Sequence, residues 1–405
     1  MAGECLSVSR LPAGDGFVGV DRKILERASA LVPLLASNAE RADAERTVPQ
    51  ENIDALAEAG LWGLTRPHSR GGYQTNIRTT VEVVRELARG CGSTSWILMI
   101  STIEQMVMSF LPAEAQEEIY ALNPDPRFCG TFAPSAKVRR VDGGIIVSGR
   151  WGWCSNSEFA HWAFMGVPIL GEDGNVLSYG QALIPTSSCT IERTWNAAGL
   201  AASSSHHLHC EDIFVPDHRV FDVMAAGRGE RTSAYPGTLY QSAFSASLSL
   251  MNASPMPGLA QCAFDQTVKA IPEKAVVNTT YMKSKDAPTC QVDVGWAAAR
   301  LETSCMHMAA IADMIDAAAM EGRDLTISEK ARARMAAGVM GKEARDAVDH
   351  LLDASGASVF LLSNPSQRAW RDLGVASRHA YYLNTICAQI YGAELLGGQQ
   401  VATLL

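Results

Sequence analysis

Apolar positions recur at intervals of three and four over residues 21–120, the spacing of one helical face. In DRKILERASALVPLLASNAERAD, Ile24, Leu25, Ala28, Leu31, Val32 and Leu35 fall at that spacing. VPQENIDALAEAGLWGL places Pro49 at a first helical turn and Gly60 at a helix end. NIRTTVEVVRELARG puts Ile77, Val81, Val84 and Leu87 on one face and closes at Gly90. STSWILMISTIEQMVMSFL is apolar nearly all round, which predicts a helix buried on most sides. The texture changes near Asn123. From there to residue 222, β-branched and aromatic residues stand between turn signals. GGIIVSGRWGWCS and HWAFMGVPIL read as strands, DGG and GEDGN as hairpin turns, and HHLHCEDIFVPDHRVF as a strand ending at Pro216. Helical spacing returns from Ser233 onward, in VGWAAARLETSCMHMAAIADMIDAAAM and in ISEKARARMAAGVMGKEARDAVDHLLDASGA, which ends near Gly356. A further helix is predicted over residues 369–392, where Asp372, Val375, His379, Tyr382 and Ile386 share one face. His379 is thus a polar residue on an apolar stripe. The predicted organisation is mainly α with a central β domain: helices over residues 1–122, strands over 123–232 and helices over 233–405.

Composition narrows the classes. A chain of 405 residues is long enough for two or three packed units. Its 47% hydrophobic and 19% charged content is that of a globular protein. A net charge of −9 favours neither nucleic acid nor an anionic membrane as partner. No apolar run reaches the roughly 18 residues that span a bilayer. The N-terminal MAGECLSVSRLPAGDGF lacks the charged and apolar blocks of a signal peptide. Ten scattered cysteines with no C-x-x-C pair suggest neither a disulfide framework nor a zinc site, and point to a reducing cytoplasm.

The familiar cofactor motifs are missing. There is no phosphate loop, no G-x-G-x-x-G after a strand and no G-x-S-x-G elbow. SSSHHLHC puts His207 and His209 on one face of a strand, but a metal site needs a third ligand and none is evident. In RWGWCSNSEFAHW, alternation puts Trp151 and Trp153 on one face, as sheet core or as an aromatic wall for a flat ligand, with Ser155 offering a hydroxyl. The small residues of FCGTFAPSAKV would let a ring approach the backbone closely.

Taken together, these stretches resemble the acyl-CoA dehydrogenase fold, from about residue 21 to 398: a helical N-terminal domain, a β-barrel-like middle domain and a C-terminal four-helix bundle. GTFAPSAKV stands where that family has its first flavin-contacting strand, which implies flavin contacts at Gly130 and Thr131. GRWGWCSN resembles the family's K-x-F/W-I-T-N strand, so that Trp153 takes the place of the aromatic residue beside the flavin and Ser155 that of the hydroxyl near N5. WNAAGLAASSSHHLHCEDIFVP resembles the segment K-x-G-x-R-x-S that precedes a strand ending in Val-Pro. QRAWRD resembles the Arg-Asp pair of a late bundle helix. Dehydrogenases follow that pair with Tyr-Glu-Gly-Thr, whose Glu is the base. Here RDLGVASRHAYYLNT has no acid after Asp372, the next being Glu394, and His379 stands about where the base would be.

This departure is similar to the two-component flavin monooxygenases of the same fold, the branch of p-hydroxyphenylacetate and aromatic polyketide hydroxylases, whose members include natural-product tailoring enzymes. The resemblance implies a separate NAD(P)H:flavin reductase, reduced FMN or reduced FAD, O2, a C4a-hydroperoxyflavin and an aromatic or polycyclic substrate. It implies a homotetramer, or a homodimer. His379 would lie near the reacting carbon, where a pKa near 6.5 lets it exchange a proton near neutrality. Trp96, Glu104 and Tyr382 are the candidate substrate pocket; Lys283 and Gln291 are candidates for the phosphate end of the flavin. Asp372 is expected to brace the bundle. The alternatives are an acyl-CoA dehydrogenase or oxidase with FAD and an unusual base, or an inactive ligand-binding relative.

Overall fold

Asp21 starts the first helix: its carboxylate accepts the amides of Lys23 and Ile24 at 2.9 and 3.3 Å. The computed structural model describes residues 19–405, so the N-terminal stretch read above for a signal peptide lies outside the described residues. Five helices come first, α1 (Arg22–Glu45), α2 (Gln50–Glu58), α3 (Ile77–Ala88), α4 (Gly92–Met108) and α5 (Ala113–Leu122). α1 buries Ile24, Ala28, Leu35, Ala39 and Ala42, the apolar stripe of its sequence. α4 is buried along its whole length except at Ile100, as an all-round apolar helix must be. The N-terminus of α3 is capped twice. Asn76 accepts the Thr79 amide at 2.9 Å, and Asp316, from far along the chain, accepts the amides of Ile77 and Arg78, each at 2.9 Å.

The β part holds β1 (Phe128–Thr131), β2 (Ala136–Val141), β3 (Gly144–Cys154), β4 (Trp162–Leu170), β5 (Val176–Pro185), β6 (Thr190–Glu192), β7 (His206–Pro216) and β8 (Val220–Phe221). Two four-stranded sheets form, in the orders β1-β4-β5-β8 and β2-β3-β7-β6. β1 runs parallel to β4 and every other pairing is antiparallel. Between the sheets lies an apolar core that includes Ile145, Val147, Trp151, Met165, Ile184 and Leu208.

Helices resume with α6 (Val223–Gly227), α7 (Phe244–Ala253), α8 (Pro255–Ala270), α9 (Pro288–Met320), α10 (Ile327–Ser355), α11 (Pro365–Ala376) and α12 (Asn384–Leu396). α10 begins with a capping box between Thr326 and Glu329 and packs against α7, α8, α9, α11 and α12. One buried cluster runs from α3 and α4 into α7 through α10, so the two helical parts share a core. Among the described residues, no helix is long and apolar enough to cross a membrane.

Two sequence expectations fail here. Residues 369–392 are not one helix. α11 stops at Ala376, a short 3-10 turn covers Ala380–Tyr382, and α12 starts at Asn384. One backbone bond of a continuous helix is taken over by a side chain, since the Tyr381 amide turns to His379. Ser377 Oγ donates to the Leu373 carbonyl at 2.6 Å, and His379 Nδ1 accepts the Tyr381 amide at 3.2 Å. Trp151 and Trp153 also do not share a face. The register of β3 slips between Trp151 and Cys154, and Trp153 adopts φ 65°. Trp151 therefore points into the β core, donating to the Gly166 carbonyl at 2.9 Å, whereas Trp153 is 71% exposed.

Candidate active site

Three distant parts of the chain meet in one cluster of side chains. Trp96 of α4 donates its indole N–H to Ser155 Oγ at 3.0 Å. Ser155 Oγ lies 2.7 Å from Ser205 Oγ, which lies 2.7 Å from Ser203 Oγ. The His379 ring stands edge-on to Trp96, centroids 6.3 Å apart, and stacks on Tyr382 at 5.4 Å. Tyr382 is in turn fixed by its hydroxyl, 3.1 Å from Asn252 Oδ1. The break after α11 makes this possible, because it carries His379 off the helix axis and over Trp96.

The loops that deliver the serines are held in uncommon backbone conformations. Trp153, Asn156, Leu200 and Ser204 have φ of 65°, 71°, 49° and 48°. Such conformations persist only where surrounding bonds enforce them, and they gather at functional sites. Asn156 supplies two of those bonds, its amide to the Ser203 carbonyl at 2.9 Å and its side-chain amide to the Phe128 carbonyl at 2.9 Å. The segment before Ser203 is clamped to α11. Asp372 accepts the Leu200 amide at 2.6 Å, and Arg371 pairs with Asp43 at 2.7 Å while donating to the Ala198 carbonyl. A Cβ at Gly199 would sit 2.0 Å from the Arg371 carbonyl, so only glycine permits this approach. Burial lifts the Asp372 carboxyl to a pKa of about 7, against the pull of the Leu200 amide. Asp372 is thus a clamp for the serine loop, a more specific task than bracing the bundle.

His379 keeps accessible surface, so it lines the opening rather than the packed core. Crowding by protein nevertheless pulls its pKa down to about 4, with the positive charge of Arg334 acting in the same direction. The ring is therefore neutral near pH 7, not poised to titrate there. Its Nδ1 accepts a backbone amide, which places the single ring proton on Nε2. His379 offers the site an N–H donor.

A flat heterocycle with an amide-like edge fits beside this group. β1 is an edge strand, with no strand partner on its outer side. Its Phe128 amide and carbonyl are taken by Ser101 Oγ at 3.0 Å and Asn156 at 2.9 Å, and Gly130 and Thr131 continue the strand, half-buried. The exposed Trp153 indole meets Trp195 edge-on at 5.3 Å and presents an aromatic surface two residues from Ser155. Backbone groups, an indole face and a hydroxyl are the donor set that a flavin ring requires.

Glu104 lies against Gly130 of β1. It is 3% exposed, pressed against β1 and β5, where Gln181 donates to Oε1 at 3.3 Å. A Cβ on Gly130 would come within 2.1 Å of Glu104 Oε1, so the glycine of GTF makes room for this carboxyl. Lys283 and Gln291 make other contacts. Lys283 pairs with Glu273 at 2.6 Å, and Gln291 donates to the Lys285 carbonyl at 2.7 Å, all on exposed surface. Ser203 and Ser205 went unread in the sequence, where SSSHHLHC drew attention to its histidines. Their two-residue spacing before a strand was the available signal. Among the described residues no group of three His, Cys, Asp or Glu side chains is placed to hold a metal ion.

The chain matches known proteins over most of its length. Residues 26–121 match the acyl-CoA dehydrogenase N-terminal domain and residues 250–383 the acyl-CoA dehydrogenase C-terminal domain. The oxygenase subunit HsaA of a flavin-dependent monooxygenase from Rhodococcus jostii is 29% identical over 367 residues, 88% of this chain and 94% of that protein. The oxygenase component of p-hydroxyphenylacetate 3-hydroxylase from Acinetobacter baumannii is 28% identical over 401 residues, 94% of this chain and 91% of that protein. The structure of XiaF from a Streptomyces species, in complex with FADH2 and glycerol, superposes with a TM-score of 0.88 at 28% identity, covering 95% of this chain and 97% of that one. With its fold and these matches, the chain belongs to the two-component flavin-dependent monooxygenases of the acyl-CoA dehydrogenase fold.

Proposed function

We propose that this protein hydroxylates an aromatic small molecule at the opening between His379, Trp96, Tyr382 and Ser155, as the oxygenase component served by a separate NAD(P)H:flavin reductase. The observation that carries this reading is the convergence of a neutral histidine, an indole and a serine relay beside an edge strand and an exposed tryptophan. Gly130, Thr131, Trp153 and Ser155 would hold reduced flavin, FMN or FAD. Bound there, it supplies the reducing equivalents and the O2 chemistry from which one oxygen atom reaches the substrate and the other leaves as water. His379 Nε2–H holds a proton at the reacting centre. A donor there stabilises negative charge on a phenolic oxygen or on the departing oxygen. Trp96 and Tyr382 wall the ring and keep water out. The Ser203–Ser205–Ser155 relay lets the Ser155 hydroxyl adjust between donor and acceptor without a net charge.

The geometry does not favour α-proton removal from a thioester. Glu104 and Asp372 are buried in separate contacts with Gln181 and Leu200, and the charged side chain that acts on His379 is a cation. Exposed apolar side chains on α9, Val292, Trp296 and Met306, support assembly into a homotetramer or homodimer, which light scattering would measure. The nine described cysteines are all free, which suits a reducing cytoplasm.

The test uses the protein with an NADH:flavin reductase, oxygen and a panel of phenols, naphthols and indoles. Product and hydrogen peroxide are measured against NADH consumed. The wild type is expected to oxygenate at least one of them. His379→Ala should keep the fold and its NADH consumption, lose product formation by about 10²-fold or more and release peroxide instead. Unchanged coupling in that variant would remove His379 from the chemistry. Oxygen consumption without any oxygenated product across the panel would count against the hydroxylase reading.

A further inference from the structure

β6 and β7 run antiparallel, with Thr190 opposite His209, Ile191 opposite Leu208 and Glu192 opposite His207. Carried one step further, that register sets Cys189 opposite Cys210. The backbone at Cys189 is extended, φ −113° and ψ 151°, so the strand geometry reaches it. Residues directly opposite in an antiparallel pair turn their side chains to the same face. Here that face is the β core. Cys210 is 2% exposed within it, and Cys189 packs against it from the rim, half-buried.

The two thiols are close enough to share a hydrogen bond, which draws the Cys210 thiol below its ordinary value and holds the proton on Cys189. The first proton lost by the pair therefore leaves a thiolate on Cys210 with a thiol beside it. Cys129 and Cys154 lie in the same core, fully buried, where loss of solvation pushes both thiols up and keeps them protonated. Among the described residues no three of these groups are placed to hold a metal ion. The backbone already meets the main demand of a disulfide. Opposed residues of an antiparallel pair have Cα atoms roughly 4.5–5.5 Å apart, inside the roughly 4.4–6.8 Å that a disulfide spans. Their Cβ atoms stand about 4.5–5.5 Å apart and must close to about 3.5–4.5 Å. β6 is placed to give that much: it is three residues long, forms the outer strand of its sheet and follows a 3-10 turn at Thr186–Ser188.

We propose that hydrogen peroxide oxidises Cys189 and Cys210 to a reversible disulfide, which staples β6 to β7 at the foot of the segment that carries the serine relay. The half-buried rim at Cys189 admits a molecule as small as peroxide. The Cys210 thiolate attacks one peroxide oxygen, the O–O bond breaks, hydroxide leaves and a sulfenic acid remains. Cys189 attacks that sulfur, the S–O bond breaks, the S–S bond forms, and the oxygen leaves as water with the Cys189 proton. Two thiols and one peroxide become one disulfide and two waters, and a dithiol reductant reverses the step. The pairing of the thiols does not depend on the hydroxylase reading. The source of the oxidant does, since peroxide is what such an enzyme releases when oxygen is consumed without hydroxylation. In a reducing compartment a bond of this kind is transient and reports the local oxidant. It closes residues 190–209 into one ring, which contains Trp195, Leu200, Ser203 and Ser205.

The test takes the full chain, reduces it with dithiothreitol, desalts it and adds hydrogen peroxide in small molar excess. Iodoacetamide in urea then blocks the remaining thiols, and peptide mass spectrometry without reductant finds the links. A peptide pair joined through Cys189 and Cys210, and released by dithiothreitol, is expected. Cys129 and Cys154 should stay free to alkylate. The oxidised protein should melt about 2–6 °C above the reduced one, because the ring restricts the unfolded chain. Hydrogen exchange across residues 195–205 should slow as well. Cys189→Ser should abolish the link and the melting shift together. Peroxide that leaves both thiols free, joins either to another cysteine, or carries both to sulfinic acid without a link would overturn the proposal. So would the same melting shift in Cys189→Ser. A link formed in a protein that oxygenates no aromatic would sink the hydroxylase and leave the disulfide standing. Hydroxylation by a protein in which peroxide forms no link would do the reverse.

Discussion

Glu104→Gln tests whether the seam between α4 and the β part holds a neutral carboxyl. Glu104 is enclosed, receives one long hydrogen bond from Gln181, and its Oε2 and the Gln181 Oε1 have no partner. Loss of solvation raises its pKa from 4.5 to about 8. The sign follows directly. Between those values the unfolded chain has released the proton and the folded chain retains it, so the native state binds more protons and stability falls as pH rises. Each pH unit in that window costs about 1.4 kcal/mol. The penalty grows by about 2–3 kcal/mol between pH 5 and pH 7 and levels off above pH 8, where the folded carboxyl ionises too. A glutamine has the shape of the protonated acid, never ionises, and adds an N–H₂ group that can serve the orphan Gln181 oxygen. Urea midpoints and slopes, measured at pH 5, 6, 7 and 8 for wild type and variant, provide the comparison. The variant should be close to wild type at pH 5 and more stable by a few kcal/mol at pH 7 to 8. Taking the difference between the two proteins cancels the other buried acids, Asp372 and Asp316, whose pKa values also stand near 7. Parallel pH profiles would mean that Glu104 is ionised in the folded protein and would refute the reasoning.

Ser155→Ala removes the acceptor of the buried Trp96 indole N–H and one contact of the serine relay; a loss of about 1–3 kcal/mol and a shift in tryptophan emission are expected, and unchanged values would dismiss the relay. Asp372→Ala strands the Leu200 amide and should cost about 1–3 kcal/mol, with faster hydrogen exchange across residues 195–205. Asp372→Asn keeps an accepting oxygen and should exchange nearly as slowly as wild type; equal exchange in both variants would show that the clamp does not hold the loop.

Periodicity by itself determined the element types and their order. A spacing of three and four marked the helices, alternation and turn dipeptides marked the strands, and both signals are local, so they survive without knowledge of the partner surfaces. The same local reading brought forward Trp96, Ser155, His379 and Tyr382, which the fold brings into contact. Where it failed, a bond from outside the pattern had decided the matter. The stripe through Asp372, His379 and Tyr382 looked continuous, yet the helix ends at Ala376 and the His379 imidazole takes the Tyr381 amide. The Trp151–Trp153 alternation gave way to a slip in register and a left-handed residue.

Other features were beyond any reading of the chain. Asp372 meets Leu200, a residue 172 positions away, and Asp316 caps a helix 239 positions away. Burial of Glu104 against Gly130 and Gln181 could not be read from the chain either. The sequence determined which groups this protein has to work with. Tertiary structure decided their charge and their neighbours, because desolvation and distance belong to the folded chain and to no shorter piece of it.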